Sequence, residues 1–310
     1  MAKIVIPEFM DEASVKALAA DYDTLYEPDL VARPDALIAA VPEAEALIVR
    51  NRTQVRGELL TAAKTLRVVG RLGVGLDNID LAACEARGIA VCPASGANDQ
   101  SVAEYVVAVA LMLVRGAYGA SDRVIAGDWP RTSLIGGELA SRHLGLIGFG
   151  AIARRVAGPM RALGMTVAAH DPFVPAEDLA WGAVERLELD QLLAASDIVS
   201  LHVPLTDATR DLLDGRRIAR MKPGAIVINS ARGGLLDEAA LAAALKQGHL
   251  AGAALDVFAE EPLSAAGAAK FAGLDNVILT PHIAGVTRES NVRVSAATAR
   301  NVRRVLESTA

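Results

Sequence analysis

The sequence predicts an α/β protein built on parallel sheets, and three observations carry that prediction. Short apolar strands alternate with helical patterns along the whole chain. Hydrophobic residues make up 52% and charged residues 22%, yet aromatics only 4%, a mixture of Ala, Val, Leu and Ile that suits strands covered on both faces by helices. LGLIGFGAIAR, Leu144 to Arg154, reads as an apolar strand that turns on two glycines and enters a helix. At 310 residues the chain exceeds one typical domain, so two are expected.

In order along the chain, Lys3 to Ile6 is a first strand and Glu12 to Ala20 a helix with an Ala/Leu/Val stripe. Ala46 to Val49, Leu59 to Ala63 and Leu66 to Arg71 continue the alternation. Two segments here end a strand with charge and glycine: LIVRNRT, Leu47 to Thr53, and RLGVGLD, Arg71 to Asp77. Ligands of open parallel sheets bind beyond the carboxyl ends of the strands, so the N–H groups of Gly73, Val74 and Gly75 can grip a carboxylate. Arg50, Arg52 and Arg71 would add positive charge, although Arg52 reads equally well as a solvated loop residue.

Ile89 to Cys92 is another strand, and ASGAN, Ala94 to Asn98, marks the first crossing between domains. SVAEYVVAVALMLVR, Ser101 to Arg115, is a helix apolar almost all round, expected to lie buried between domains or against a second subunit, with Glu104 as a buried hydrogen-bonding residue. Its continuation to Trp129 and Pro130 is expected to form an interdomain or dimer-forming arm.

In the glycine stretch, Gly148 and Gly150 make the turn and Ala151 opens the helix, so the first helical N–H groups point at an anion with the helix dipole behind them. The third small position is Ala153, which still allows close packing of helix on strand. The strand Thr166 to His170 ends in Asp171, 21 residues after Gly150, where a carboxylate accepts hydrogen bonds from ribose hydroxyls and repels a 2′-phosphate. NAD rather than NADP is the expected cofactor; the bland alternative is a glycine-rich turn followed by a capping Asp before Pro172.

Four further strands close on polar groups: Ile198 to His202 on HVPLT, Ala225 to Asn229 on SARGG, Ala253 to Val257 on FAEEP, and Val277 to Thr280 on PHIAG. In a doubly wound sheet those ends line one crevice. A final helix, Asn291 to Leu306, returns to the first domain. His282 is the natural general acid/base of this crevice, because imidazole titrates near working pH. Glu261, 21 residues earlier, can hold its second nitrogen, and Arg232 offers a planar fork for a carboxylate next to a 2-oxo group. Together they describe a 2-hydroxy-acid site, with Asp256 expected on the nicotinamide amide. Singly, His282 can cap a turn, Glu261 can be solvated beside Glu260, and Arg232 can pair with Asp237.

Net charge is −6 with no block of Lys or Arg, which speaks against nucleic acid or an acidic membrane as partner. Cys84 and Cys92 are the only cysteines and have no accompanying ligand cluster, so no metal site and a reducing, cytoplasmic setting are expected. The N-terminus lacks the apolar core of a signal peptide, and the longest apolar run, Val106 to Val114, is far below the ~20 residues of a membrane span.

These residues resemble the D-isomer-specific 2-hydroxyacid dehydrogenases, which include phosphoglycerate dehydrogenase. The resemblance runs through GRLGVGLDNID (Gly70 to Asp80), SVAE (Ser101 to Glu104), GLIGFGAIAR, HDPF (His170 to Phe173), HVPLT, MKPGAIVINSARGG (Met221 to Gly234), LDVFAEEP (Leu255 to Pro262) and TPHIAG (Thr280 to Gly285). It implies Arg232 as substrate binder, Glu261 and His282 as the acid/base pair, and NAD contacts from Ala151, Ile152, Asp171, His202, Val203, Pro204, Ser230, Ala231 and Asp256, with Gly148, Gly150 and Ala284 completing the seat. One departure is Ala151, where many members carry Arg or Lys, so the pyrophosphate relies on backbone N–H groups. EFMDE (Glu8 to Glu12), LIVRNRTQV (Leu47 to Val55), HDPFVPAEDLAWG (His170 to Gly182) and PHIAGVTRESN (Pro281 to Asn291) are similar to members acting on a dianion, (S)-3-sulfolactate. Its second charge exceeds what Arg232 alone neutralises, and Arg50, Arg52 and Arg71 can meet it. The alternatives are 3-phosphoglycerate, hydroxypyruvate or glyoxylate as substrates, and, in another class, an NADH-sensing corepressor-like binding protein, which the lack of a long disordered tail disfavours. The expectation is thus a Rossmann-type doubly wound sheet, residues 98–286, inserted into a smaller flavodoxin-like α/β substrate domain, residues 1–97 and 287–310, in a cytoplasmic homodimer.

Overall fold

The computed structural model describes residues 3–116 and 119–308. By its internal contacts the chain forms two units, Met1–Asn98 with Val286–Ala310, and Asp99–Gly285. The first contains β1 (Lys3–Ile6), α1 (Glu12–Ala19), β2 (Asp23–Tyr26), α2 (Pro34–Ala40), β3 (Ala44–Val49), α3 (Gly57–Ala62), β4 (Val68–Arg71), α4 (Leu81–Ala86) and β5 (Ala90–Pro93). All strand pairs are parallel, in the order β2-β1-β3-β4-β5. Successive residues of a strand face opposite ways, and the two cores follow from that. Val5, Leu47, Val49 and Val69 enter one buried cluster, while Ile4, Ile6, Ile48 and Val68 enter the other.

The second unit holds α5 (Asp99–Arg115), α6 (Ser121–Ile125), β6 (His143–Ile147), α7 (Ala151–Ala162), β7 (Thr166–His170), β8 (Glu185–Arg186), α8 (Leu189–Ala195), β9 (Ile198–Leu201), α9 (Gly215–Ile218), β10 (Ala225–Asn229), α10 (Glu238–Lys246), β11 (Leu250–Leu255), α11 (Ala265–Ala268) and β12 (Val277–Leu279). Its sheet runs β12-β11-β10-β9-β6-β7-β8, again all parallel. This is the doubly wound order, and the winding reverses between β6 and β9. The last helix, α12 (Arg288–Glu307), belongs to the first unit, where Val294, Ala299, Val302 and Leu306 seal one core. Gly70 makes that possible: a Cβ there would stand 2.6 Å from Val302 Cγ2.

Several elements differ from the sequence reading. β2 and β8 went unread because they are short and partly exposed, without a continuous apolar run. β11 starts at Leu250 rather than Ala253, since LAGAAL is too rich in Ala and Gly to look like a strand edge. The sequence reading puts α5 between domains or against a second subunit; within its own unit it packs one face on α7, β10 and β11, through Ala103, Val106, Val109 and Ala110, and leaves Leu111 and Met112 exposed. Glu104, however, is exposed rather than buried and accepts a hydrogen bond from Gln100 Nε2 at 2.8 Å, because it lies on the helix face away from the sheet.

Candidate active site

The glycine turn sits where the second sheet reverses. Gly148 takes φ +92°, a conformation open to glycine, and a Cβ there would approach His202 O to 2.7 Å. The turn is fixed by two bonds: Gly148 N–H donates to His170 O and Phe149 N–H to Asp171 Oδ2, both at 2.8 Å. Phe149 is buried and stacks on Trp181, with centroids 4.7 Å apart. Gly150 is the N-cap of α7 and supplies no side-chain acceptor, so the N–H groups of Ala151 and Ile152 in the first turn are left without a capping side chain. Ala153 is fully buried, as its small size requires.

The neighbouring strand ends complete this face. Asp171 Oδ1 accepts the Phe173 N–H at 2.9 Å, so the carboxylate also shapes the turn it was expected only to flank. His202 donates its N–H to Ile147 O, and its Nε2 lies 2.9 Å from Ser200 Oγ; burial lowers its pKa to about 4, which keeps the ring neutral. Val203 and Pro204 follow it. Ser230 Oγ is buried without a hydrogen-bond partner, and Ala231 N–H is taken by Asn229 Oδ1. An uncapped helix start, a backbone approach that a Cβ would block, a carboxylate at the end of β7 and an unsatisfied hydroxyl fit a dinucleotide.

Past the ends of β11 and β12, two loops bring the acid/base groups together. His282 Nδ1 stands 2.7 Å from Glu261 Oε2, and Glu261 Oε1 accepts the Phe258 N–H at 3.1 Å. Burial opposes the Glu261 charge, but the His282 hydrogen bond and charge, the Phe258 N–H and the Arg232 guanidinium outweigh it and hold the carboxyl below its usual range. Because an ionised Glu261 only accepts, a neutral His282 carries its proton on Nδ1, which leaves Nε2 as an acceptor. Arg232 donates through Nη1 to Ala231 O and influences Glu261 electrostatically, while Asp237 caps α10. Gly233 is the reason the SARGG loop can lie here: a Cβ would collide with Phe258 O at 1.7 Å.

Asp256, expected on the nicotinamide amide, is seen holding the loop that follows β12. Only 1% exposed, it accepts from Thr280 Oγ1 at 2.6 Å and from the Ile283 and Ala284 N–H groups at 2.8 Å, and its carbonyl accepts the His282 N–H at 2.8 Å. The loop therefore wraps around Asp256 and presents His282 at φ +57°. Two supports were missed in the sequence. Tyr105 OH lies 2.6 Å from Thr280 Oγ1, and buried Glu238 accepts both the Ala259 N–H and Lys270 Nζ at 2.7 Å. Glu238 follows an N-cap Asp, so it reads as an ordinary first-turn acid; only the fold turns it inward.

In the first unit, Arg50 follows β3 and donates through Nη2 to Asn291 Oδ1 at 2.6 Å. Arg71, the last residue of β4, turns Nε to Gly75 O at 2.8 Å and Nη1 to Leu72 O, so it shapes the loop that follows. Gly73 departs from the expectation: its N–H is already donated to Arg71 O at 2.8 Å, which leaves Val74 and Gly75 as the donors of that loop. Arg52 is exposed, its N–H donating to Glu8 Oε2 at 3.2 Å.

A dinucleotide seat on a doubly wound sheet, with an imidazole–carboxylate couple and a guanidinium at adjoining strand ends, defines a nicotinamide-dependent oxidoreductase of hydroxy acids. Residues 107–284 match the model of the D-isomer specific 2-hydroxyacid dehydrogenase NAD binding domain, and the chain belongs to that family. It is 55% identical over 307 residues to an (S)-sulfolactate dehydrogenase of Chromohalobacter salexigens, covering 99% of both chains. It is 43% identical over 268 residues to a D-3-phosphoglycerate dehydrogenase of Archaeoglobus fulgidus, covering 86% of this chain but only 50% of that one. A D-lactate dehydrogenase structure from Aquifex aeolicus, complexed with NAD and lactic acid, superposes with a TM-score of 0.87 at 31% identity, over 99% of this chain and 96% of that one. The chain is an NAD-dependent oxidoreductase. Among the described residues no cluster of metal-ligating side chains occurs, and no helix is long and apolar enough to cross a membrane.

Proposed function

We propose that the protein interconverts (S)-3-sulfolactate and its 2-oxo acid, acting in the cytoplasm as a homodimer. The observation that carries the reaction is the 2.7 Å contact between His282 Nδ1 and Glu261 Oε2, which leaves one imidazole nitrogen to serve the substrate. When bound, NAD supplies the hydride acceptor for C2 of the acid. His282 Nε2 takes the C2 hydroxyl proton as that carbon loses its hydride, and returns it to the carbonyl in the reverse direction. Glu261 stays ionised and stabilises the imidazolium that forms. Arg232 binds the substrate carboxylate and, in the reductive direction, polarises the 2-oxo group. Gly148, Gly150, Ala151 and Ile152 hold the pyrophosphate through backbone, Asp171 the ribose hydroxyls, and His202 to Pro204, Ser230, Ala231, Asp256 and Ala284 the nicotinamide end.

The dianionic substrate is supported by the cationic and N–H donors of the first unit, Arg50 with Arg71, Val74 and Gly75, and by the relation to a sulfolactate dehydrogenase. Initial rates of NADH formation with 3-sulfolactate, 3-phosphoglycerate, glycerate and lactate test this. The highest kcat/KM is expected on (S)-3-sulfolactate with NAD; preference for 3-phosphoglycerate would replace the substrate, and no turnover on any of them would favour an NADH-sensing protein.

A further inference from the structure

β11 and β12 pair in parallel with Leu255 opposite Leu279, so Asp256 and Thr280, the residues that follow them, come to lie side by side; Thr280 N–H donates to Leu255 O at 3.0 Å. The Asp256 carboxylate is committed to the loop beyond. Its Oδ1 accepts the Thr280 hydroxyl at 2.6 Å and the Ile283 N–H at 2.8 Å, and its Oδ2 accepts the Ala284 N–H at 2.8 Å. A hydroxyl has one proton to give, and Thr280 gives it to Asp256. Tyr105 OH, 2.6 Å from Thr280 Oγ1, is therefore the donor in that pair. Burial raises the Tyr105 pKa, the Thr280 hydrogen bond opposing and the Asp256 charge adding to the shift, so the phenol keeps the proton it donates. The Tyr105 ring is carried by α5 and packs against the core of its unit. The bonds thus run one way, from helix to Thr280 to Asp256, on which the N–H groups of His282, Ile283 and Ala284 all converge. Glu261 has a separate support: Glu238 accepts the Ala259 N–H and Lys270 Nζ, both at 2.7 Å.

We infer that Tyr105 is a positioning residue for the acid/base step: it fixes the Thr280 hydroxyl, and through it the Asp256 carboxylate and the loop that presents His282. A hydroxyl that both accepts and donates is held in one rotamer and strengthens the bond it gives, whereas one that only donates is free to turn away. The inference rests on the proposed role of His282, and it puts a determinant of the rate on α5, outside the strand-end loops.

Tyr105→Phe isolates the hydroxyl, because it keeps the ring in the core. The expected result is a fall of about three- to tenfold in kcat for reduction of the 2-oxo acid of 3-sulfolactate by NADH, with KM for that acid changed less than about twofold. Thr280→Val should cost more, and adding Tyr105→Phe to it should cost less than about 1.5-fold further, since the chain of bonds is already cut. Full kcat in Tyr105→Phe, or losses that multiply in the double variant, would overturn the inference. Deuterium exchange read by mass spectrometry tests it without turnover. Residues 280–285 should exchange at least about threefold faster in Tyr105→Phe, with residues 257–261 and β10 as in wild type. Unchanged exchange at 280–285, or faster exchange in all three segments, would also overturn it. If wild type reduces no acid, faster exchange confined to 280–285 still supports the role of Tyr105, and only the proposed reaction falls.

Discussion

His282 is aimed by its backbone as much as by its ring. At φ +57° it occupies a conformation that histidine tolerates better than most residues, and the Asp256 carbonyl and carboxylate hold the loop on both sides of it. Glu261 then needs only to meet Nδ1. Because its carboxyl lies below the usual range in the folded chain, it is charged throughout neutral pH; its contribution to stability is complete above the ordinary carboxylate range and is lost as pH falls through the lowered value. Glu261→Gln keeps a hydrogen-bond acceptor but removes the charge that favours the imidazolium. We expect kcat for 2-oxo-acid reduction to fall by about 10²-fold. Initial rates of 2-oxo-acid reduction check this, and a variant as fast as wild type would remove Glu261 from the proton path. All three groups were legible in the sequence, since each lies in a polar tail behind an apolar strand. Glu238 and Tyr105 were not, because their partners Ala259, Lys270 and Thr280 are brought to them only by the fold.

At the scale of elements, β6, the glycine turn and α7 were legible almost to the residue, because backbone conformation restricts that turn to glycine. Gly148 at φ +92° and the collision a Cβ would make with His202 O state the restriction. Asp171 makes backbone bonds that the sequence did not reveal. It closes β7 beside the expected ribose position, and it accepts the N–H groups of Phe149 and Phe173. Asp171→Ala should therefore relax the preference for NAD over NADP and weaken both cofactors together, since the turn loses two bonds along with the negative charge. Comparison of kcat/KM for the two cofactors checks this, and an unchanged ratio would take the ribose role away. Element ends were read less well where side chains are small or half-exposed, as in β2, β8 and the start of β11. Periodicity carries no signal there.

For the molecule as a whole, each unit builds its own sheet with a buried cluster on either face. What the second unit does not bury is as informative. Ile125, Trp129 and Ile135, on the segment after α5, are 82%, 81% and 80% exposed, an arrangement soluble chains use to meet a partner. If this arm carries the proposed homodimer, Ile125→Glu with Trp129→Glu should convert the protein to monomers by size exclusion with light scattering. A dimer unaffected by the pair, or a wild-type monomer, would exclude the arm as the interface. The sequence by itself determined the α/β class, the cofactor turn and the polar groups at the strand ends, because these follow from apolar periodicity and from the conformational limits of glycine, which are local. The tertiary structure alone decided which of those groups meet: that Asp256 holds the histidine loop, that Gly73 N–H is already bonded, and that Asn291 reaches Arg50 across 241 residues. Such pairings depend on strand order and on the packing of α12 against the first sheet, and no window of sequence contains them.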